Sequence, residues 1–377
     1  MTSSHYDLII VGAGIYGASI ALEAVHDGMK VCLVEQFDTP AQGTSSKSSK
    51  LIHGGLRYLE SLEINLVYEC LHDRKRLLDL YPDDVKLVKF YIPVYGNTSR
   101  PAWIIRSGLM LYAMLGGLKK ANRFQSISRS RWPELDGLNT AGLKHVFQYY
   151  DAQTDDAKLT GILLNEAIEN GARVYFNCEF NNCRISDSVL KVNCHNNNES
   201  LTLESKYLIN AAGPWVNHVL ERCKPAVKPL TIDLVQGTHI ELPGRLHQGI
   251  YYLEAPQDRR AVFAMPWKEH IMVGATENLF KGDPQKVAPT SEEIKYLLTV
   301  FNHYFSTSDK KMTKDDVINH WAGLRVLPSS KAEAFKRSRG TIFHKDDEHN
   351  PRVISIYGGK LTSHYSTARK LLKEIEL

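Results

Sequence analysis

Four short apolar runs, almost without polar interruption, punctuate this 377-residue chain at 6–11, 30–34, 207–212 and 353–357. Runs of this kind predict strands buried on both faces, as in a parallel sheet. The first is followed by glycines and a helix-forming stretch over 18–25, and Gly28 suits that helix's C-terminal end. The second run closes on Glu35, so the first 35 residues read as one βαβ unit. Elsewhere the pattern is different. Residues 238–242, 249–253, 261–265 and 271–274 alternate enough to predict an antiparallel sheet, and 174–206 reads as short strands with a turn at 196–198. Helical patterns run over 60–81, 103–118, 155–170 with Gly171 as the stop, and 291–305, and a terminal helix follows Gly358-Gly359. No repeat of 20–50 residues is present.

The buried strands of nucleotide-binding type are therefore scattered, with a β-rich block between the last two. The simplest account is an α/β chain with two interleaved units. One is discontinuous, over 1–85, 150–220 and 330–377. The other, built on an antiparallel sheet, occupies 86–149 and 221–329.

Composition narrows the class. With 43% hydrophobic and 23% charged residues the chain is of ordinary globular type. A net charge of +4 is too small to argue for nucleic acid, and suits an anionic small molecule or an anionic membrane surface. The six cysteines form no CxxC, so a reducing cytoplasm is expected. No basic n-region precedes the first apolar run, so no signal peptide is read. Residues 108–118 form the longest membrane-like stretch and are too short to span a bilayer.

Chemistry enters at the glycines. Gly12, Gly14 and Gly17 stand after a strand and open a helix, where a tight turn, close approach of a pyrophosphate and close packing each require them. Ile15 and Tyr16 lie inside that turn, and Glu35 with Gln36 follows the second strand. A carboxylate at 35 accepts from ribose hydroxyls and repels a 2′-phosphate, which favours FAD or NAD over NADP. Residues 44–57 add hydroxyls at Thr44, Ser45, Ser46, Ser48 and Ser49, then Gly54-Gly55, where backbone can approach a flat ring. Ala211-Ala212-Gly213-Pro214-Trp215 and Tyr357-Gly358-Gly359-Lys360-Leu361-Thr362 each end a buried strand in small residues before a helix. A helix start of this kind favours negative charge, and Lys360 adds a mobile cation.

Nine segments carry a wider resemblance: DLIIVGAGIYGA (7–18), TSSKSSKLIHGGLRYLE (44–60), RPAW (100–103), DDAKL (155–159), NAAGPWV (210–216), GTHI (237–240), KGDP (281–284), AGLRVL (322–327) and YGGKLTS (357–363). In order and over nearly the whole chain, they resemble the FAD-dependent glycerol-3-phosphate dehydrogenases of the D-amino-acid-oxidase-like flavoprotein superfamily. The resemblance implies a Rossmann-like FAD-binding domain with an interleaved antiparallel-sheet substrate domain. It implies that Gly12, Gly14, Gly17 and Glu35 hold the ADP part. Thr44, Ser45, Ser46, Ser49, Leu51 and His53 fall in its flavin-contacting segment, as do Ala212, Gly213, Trp215, Gly359, Lys360, Leu361 and Thr362 in its flavin-facing loops. Phe180 falls near its adenine-contacting strand.

Arg57, Tyr58, His239, Arg325 and Lys360 fall in the family's substrate-pocket motifs. Fixed cations suit a phosphate dianion. The implied reaction oxidises sn-glycerol 3-phosphate to dihydroxyacetone phosphate, with hydride passing to flavin N5 and electrons to a quinone. His239 is the nominated base, on the expectation of a pKa near the working pH, with His53 behind it, while Arg325 or Lys360 is the alternative as stabiliser of an alkoxide. An FAD-dependent enzyme acting on another anionic 2-hydroxy compound is the alternative function. Val326 stands where the family often has proline, and the chain ends at Leu377 without the family's usual C-terminal helical domain. Residues 103–118, bracketed by Arg100, Arg106, Lys119, Lys120 and Arg123, suggest peripheral contact with the cytoplasmic face of a membrane. A tRNA-modifying flavoprotein is disfavoured by the small net charge, and a non-catalytic flavin binder by the retained pocket cations.

Overall fold

Strand His5–Val11 runs parallel to Val31–Val34 on one side and to Glu199–Asn210 on the other, with Ile9 opposite both Cys32 and Leu208. This computed structural model describes residues 5–118, 120–186, 188–196, 199–305, 311–329 and 340–375. Val353–Gly358 extends the parallel set against Glu199–Asn210, and Thr341–Lys345 pairs antiparallel with it. Strands Cys178–Arg184 and Leu190–Asn196, with the short strands Arg173–Tyr175 beside Val31–Val34 and Cys223–Lys224 beside Cys178–Arg184, complete a nine-stranded sheet among the described residues. The expected turn residues 197–198 lie outside them, as do Lys119 and Ser330.

Three helices cover one face of this sheet: Ile15–His26, Asp156–Glu169 and His364–Lys373. They approach closely because small side chains stand between them. Ala18, Ala21 and Ala24 of the first pack with Ala167 of the second and Ala368 of the third. The aliphatic residues of the parallel strands close the same core. The central βαβ unit thus forms as the sequence pattern predicts.

A second sheet, of ten strands among the described residues, carries the period-two segments. Ile232–Leu242, Ile250–Glu254, Ala261–Trp267 and His270–Gly274 are the antiparallel strands expected: the first begins six residues before its pattern, the second is shifted by one residue, and the other two are one or two residues longer. Helix Ser291–Tyr304 packs on them, and its start is fixed by a capping box between Thr290 and Glu293. Two long strands, Val85–Tyr95 and Leu143–Thr154, are additions to the sequence reading, and they pair along nearly their whole length. Pro93 and the lysines at 86 and 89 obscure the first of them as a pattern. Leu51–Ile52 falls within the first expected segment, 1–85, but pairs with Gln153 and Ala152 in the second sheet. Ile232–Leu242 lies between His270–Gly274 and Asn319–Pro328, which sets His239 opposite Trp321 and Val235 opposite Arg325.

Candidate active site

The glycine turn is built for close approach. Gly12 has φ +103, and a Cβ there would stand 2.8 Å from the Ala211 carbonyl oxygen. A Cβ on Gly17 would overlap the Gly12 carbonyl oxygen, so this glycine serves packing and does not line the cavity. Gly14 caps the first helix with no side-chain bond of its own. Ser45, thirty residues on, fills that role: its Oγ accepts from the Ile15 amide at 2.9 Å. The remaining amides of the first turn stay available to an anion. Glu35 accepts from the amides of Ala13 (2.6 Å) and Phe37 (3.0 Å) while burial pushes its pKa up. Its carboxylate is therefore held rigidly at the end of the second strand.

From this turn a cavity of about 650 Å³ runs between the two sheets. Every expected cofactor residue borders it except Gly17 and Ser46. The serine-rich segment is pinned from below: Lys50 is buried against Asp156 at the start of helix Asp156–Glu169, and Ser48 donates to the same carboxylate at 2.6 Å. Gly54 donates its amide to Tyr112 Oη at 2.8 Å, and Tyr112 donates in turn to Asp151, which is ion-paired with buried Arg74. The C-terminal loop is tied to the first helix, because the Lys360 amide donates to Tyr16 Oη at 2.6 Å. A Cβ on Gly359 would overlap that tyrosine. Thr362 Oγ1 accepts from the His53 amide at 3.0 Å and donates to the His53 carbonyl. Backbone and hydroxyls drawn from four distant segments thus converge on an elongated, ring-sized space. These residues fit a dinucleotide such as FAD: a glycine cradle that admits no Cβ, open helix amides, and a fixed carboxylate at the strand end.

At the far end the expected substrate residues fall into two groups. Arg57, Tyr58 and Lys360 make one. The Lys360 ammonium lies 3.6 Å over the Tyr58 ring centroid and 3.6 Å from Cys70 Sγ. Among the described residues Arg57 has no carboxylate partner. His239 and Arg325 make the other. His239 is 1% exposed, its Nε2 lies 2.9 Å from Ser49 Oγ, and its ring stacks on Trp321 at 5.5 Å between centroids. Its place is possible because position 274 is glycine; any Cβ there would overlap the imidazole.

The pKa expected of the nominated base is different in the structure. Burial, then the charges of Arg325 and Lys50, push His239 down to about 3. His53 is pushed to about 3 by burial and by Lys360, Arg57 and Arg74. Both imidazoles are therefore neutral at pH 7 and do not titrate near it. Arg325 is no isolated cation either, for its Nη1 donates to Glu277 at 2.9 Å. Glu277 and Tyr252 border the cavity, and the sequence reading names neither. KGDP, four residues past Glu277, was the nearest signal.

One family model, that of the FAD-dependent oxidoreductases, matches residues 7–369. A glycerol-3-phosphate dehydrogenase of Pseudomonas aeruginosa is 37% identical, over 98% of this chain and 72% of that protein. A D-erythritol 1-phosphate dehydrogenase of Brucella abortus is 34% identical, over 97% of this chain and 72% of its own length. Among solved structures, the glycerol-3-phosphate dehydrogenase of Bacillus halodurans complexed with FAD superposes with a TM-score of 0.76 at 25% identity. The match covers all of this chain, which spans 65% of that one. A glycine cradle between two sheets, matched from end to end by a single family model, makes this chain a member of the FAD-dependent oxidoreductase family.

Proposed function

We propose that this chain oxidises the secondary hydroxyl of a small phosphorylated polyol, with sn-glycerol 3-phosphate as first candidate and dihydroxyacetone phosphate as product, and that its electrons pass to a quinone. The observation that carries the reading is the pairing, at one end of a dinucleotide-shaped cavity, of uncompensated cations with a buried neutral imidazole. The names of the Pseudomonas and Bacillus relatives support the substrate. FAD, which the glycine turn, Glu35 and the loops at 212–215 and 359–362 would hold, would supply a two-electron acceptor for the hydride from C2.

Every other task falls to the protein. Arg57 and Lys360 take the phosphate dianion, the arginine as a fork and the lysine as a point charge. Tyr58 holds the ammonium in place through its ring face. Ser49 and Trp321 fix the His239 imidazole, which accepts the hydroxyl proton as hydride leaves. Neutral at rest, it needs no prior deprotonation. The incoming dianion brings negative charge to the substrate end and so raises the ring's proton affinity when the proton must move. We assign the nine-stranded sheet to holding the dinucleotide and the ten-stranded sheet to shaping the substrate end.

The Brucella relative favours a second reading, in which the polyol has four carbons. Anaerobic mixing of the flavin-loaded protein with each phosphate ester decides between them. Rapid bleaching of the visible flavin band by sn-glycerol 3-phosphate, and not by glycerol or 2-hydroxy acids, is the expected result. Bleaching by a 2-hydroxy acid alone sinks the assignment.

A surface role accompanies this reading. We propose that helix Ala102–Leu115 rests on an anionic membrane at the cytoplasmic face. Among the described residues no helix is long and apolar enough to cross a bilayer. Yet Trp103 (68%), Met110 (49%), Met114 (56%) and Leu118 (56%) are exposed along one side, with Arg106 and Arg123 nearby.

A further inference from the structure

One face of the ten-stranded sheet carries a run of aromatic rings along the cavity. Tyr149 stands opposite Phe90 in register, and Tyr252 opposite Phe263. Ile250 stands opposite Phe90, so Tyr252, two residues on, shares its face. The ring centroids of the two pairs lie 5.2 and 5.4 Å apart, and Phe90 meets Phe263 at 6.2 Å. Tyr149, Tyr252 and Phe263 border the cavity, as do Arg57 and Tyr58.

The two phenols of this run differ from the other buried ones. The hydroxyls of Tyr95, Tyr112, Tyr251, Tyr304 and Tyr357 each donate to a carbonyl, carboxylate or amide oxygen. Among the described residues, those of Tyr149 and Tyr252 have no hydrogen-bond partner. Tyr149 is 4% exposed, yet its Oη is not sealed in the core, so the opening it keeps is toward the cavity. A hydroxyl held in an apolar wall without a partner costs free energy. Phe90 and Phe263 fill the neighbouring places without that cost, so the two hydroxyls call for a ligand.

The surroundings favour an anion. Burial pushes both phenols upward, so both keep their protons and donate. The Tyr252 hydroxyl is close enough to act on Tyr149. The charges of Arg100 and Arg57 both reach Tyr252, the first paired with Glu60, the second without a carboxylate. A phosphate dianion presents acceptors alone, and more of them than one arginine fork and one ammonium fill.

Resting on the phosphorylated-polyol reading above, we propose that Tyr149 and Tyr252 are substrate-binding residues, whose hydroxyls donate to the phosphate oxygens that Arg57 and Lys360 leave unfilled. They form the uncharged arm of the anion site. A carboxylate has two oxygens instead of three and leaves these donors unmatched, so the phenols select phosphate esters over hydroxy acids of similar length.

Tyr149→Phe and Tyr252→Phe each remove one oxygen and no hydrogen bond within the protein. Flavin-loaded wild type and both variants are mixed anaerobically with rising concentrations of sn-glycerol 3-phosphate. Each variant should need about tenfold more ester for half-maximal rate of flavin reduction, the loss of one hydrogen bond to a charged group. Its limiting rate should stay within about threefold of wild type. With propane-1,2-diol 1-phosphate, which lacks the terminal hydroxyl, the same tenfold difference should remain, because the phosphate is retained. Thermal melts without ligand should place both variants at or above wild type, since no internal bond is lost.

Half-saturation within about twofold of wild type in a folded variant overturns the role. So does a difference that vanishes with the deoxy ester, which moves the phenols to the hydroxyl end of the substrate. A clear fall in either melt assigns the hydroxyl to the fold and overturns it too. In each of these cases reduction of wild type by sn-glycerol 3-phosphate leaves the phosphorylated-polyol reading standing. Reduction of wild type by no phosphorylated polyol removes that reading and the inference together.

Discussion

Three histidines are buried without charge in this protein, and they give it a particular response to acid. His53, His239 and His364 are each pushed down to about 3, with burial the leading cause. In the unfolded chain the same rings take up a proton near pH 6.5. The stability each contributes is complete above that value and is lost as pH falls from 6.5 toward 3. His364 is the clean case, since it stands outside the substrate end and its Nδ1 lies 3.0 Å from Ser19 Oγ. Replacing it with glutamine should reduce the slope of unfolding free energy against pH by one proton, about 1.4 kcal/mol per pH unit between pH 6 and 4. Denaturant melts of both proteins across that range check this; parallel slopes count against a neutral buried His364. Asp73, raised to about 6 mainly by burial, acts in the opposite sense in both proteins and cancels in the comparison.

At the scale of elements, the serine-rich segment owes its order to a contact more than a hundred residues away. Lys50 and Ser48 both end on Asp156, which is fully buried at the start of its helix. Asp156→Asn strands the lysine charge in the interior, and should cost about 3–5 kcal/mol. A thermal melt measures the loss, and a change below about 1 kcal/mol would show that the segment is ordered by something else. This contact also marks the limit of what the sequence discloses. The glycine turn, the acid after the second strand and the small-residue strand ends were legible because each acts within a few residues of itself. The antiparallel strands at 238–274 were legible through their alternation. Ser45 on the Ile15 amide, Lys50 on Asp156 and Glu277 on Arg325 were not, because each joins segments brought together only by sheet register. The depressed imidazoles were hidden for the same reason, since a pKa depends on burial and on charges that tertiary structure supplies. Helix Ala102–Leu115 was readable as apolar, whereas which of its sides faces outward became plain only from its packing.

For the whole molecule, the question is where it meets its surroundings. Leu62, Ile64 and Tyr68 are exposed as well, the last two on a helix that packs against Ala102–Leu115. Such a patch with flanking arginines should bind vesicles containing anionic lipid at low salt and release them as salt rises. Flotation with phosphatidylglycerol vesicles reads this directly. A Trp103→Ser, Met110→Ser double variant should remain in the lower fraction, and equal flotation of the two proteins, or none by wild type, rules out this face.

The interleaving of the two sheets bears on how the protein is made. Strand His5–Val11 leaves the ribosome almost two hundred residues before one of its two partners, Glu199–Asn210, and that strand in turn waits for Val353–Gly358. Helix Ile15–His26 likewise packs against His364–Lys373, near the end of the chain. The nascent glycine turn is therefore exported long before the walls around it exist. Cofactor capture must therefore wait until Val353–Gly358 and the loop after it have been made, and until then the apolar strand His5–Val11 is a natural client for chaperones.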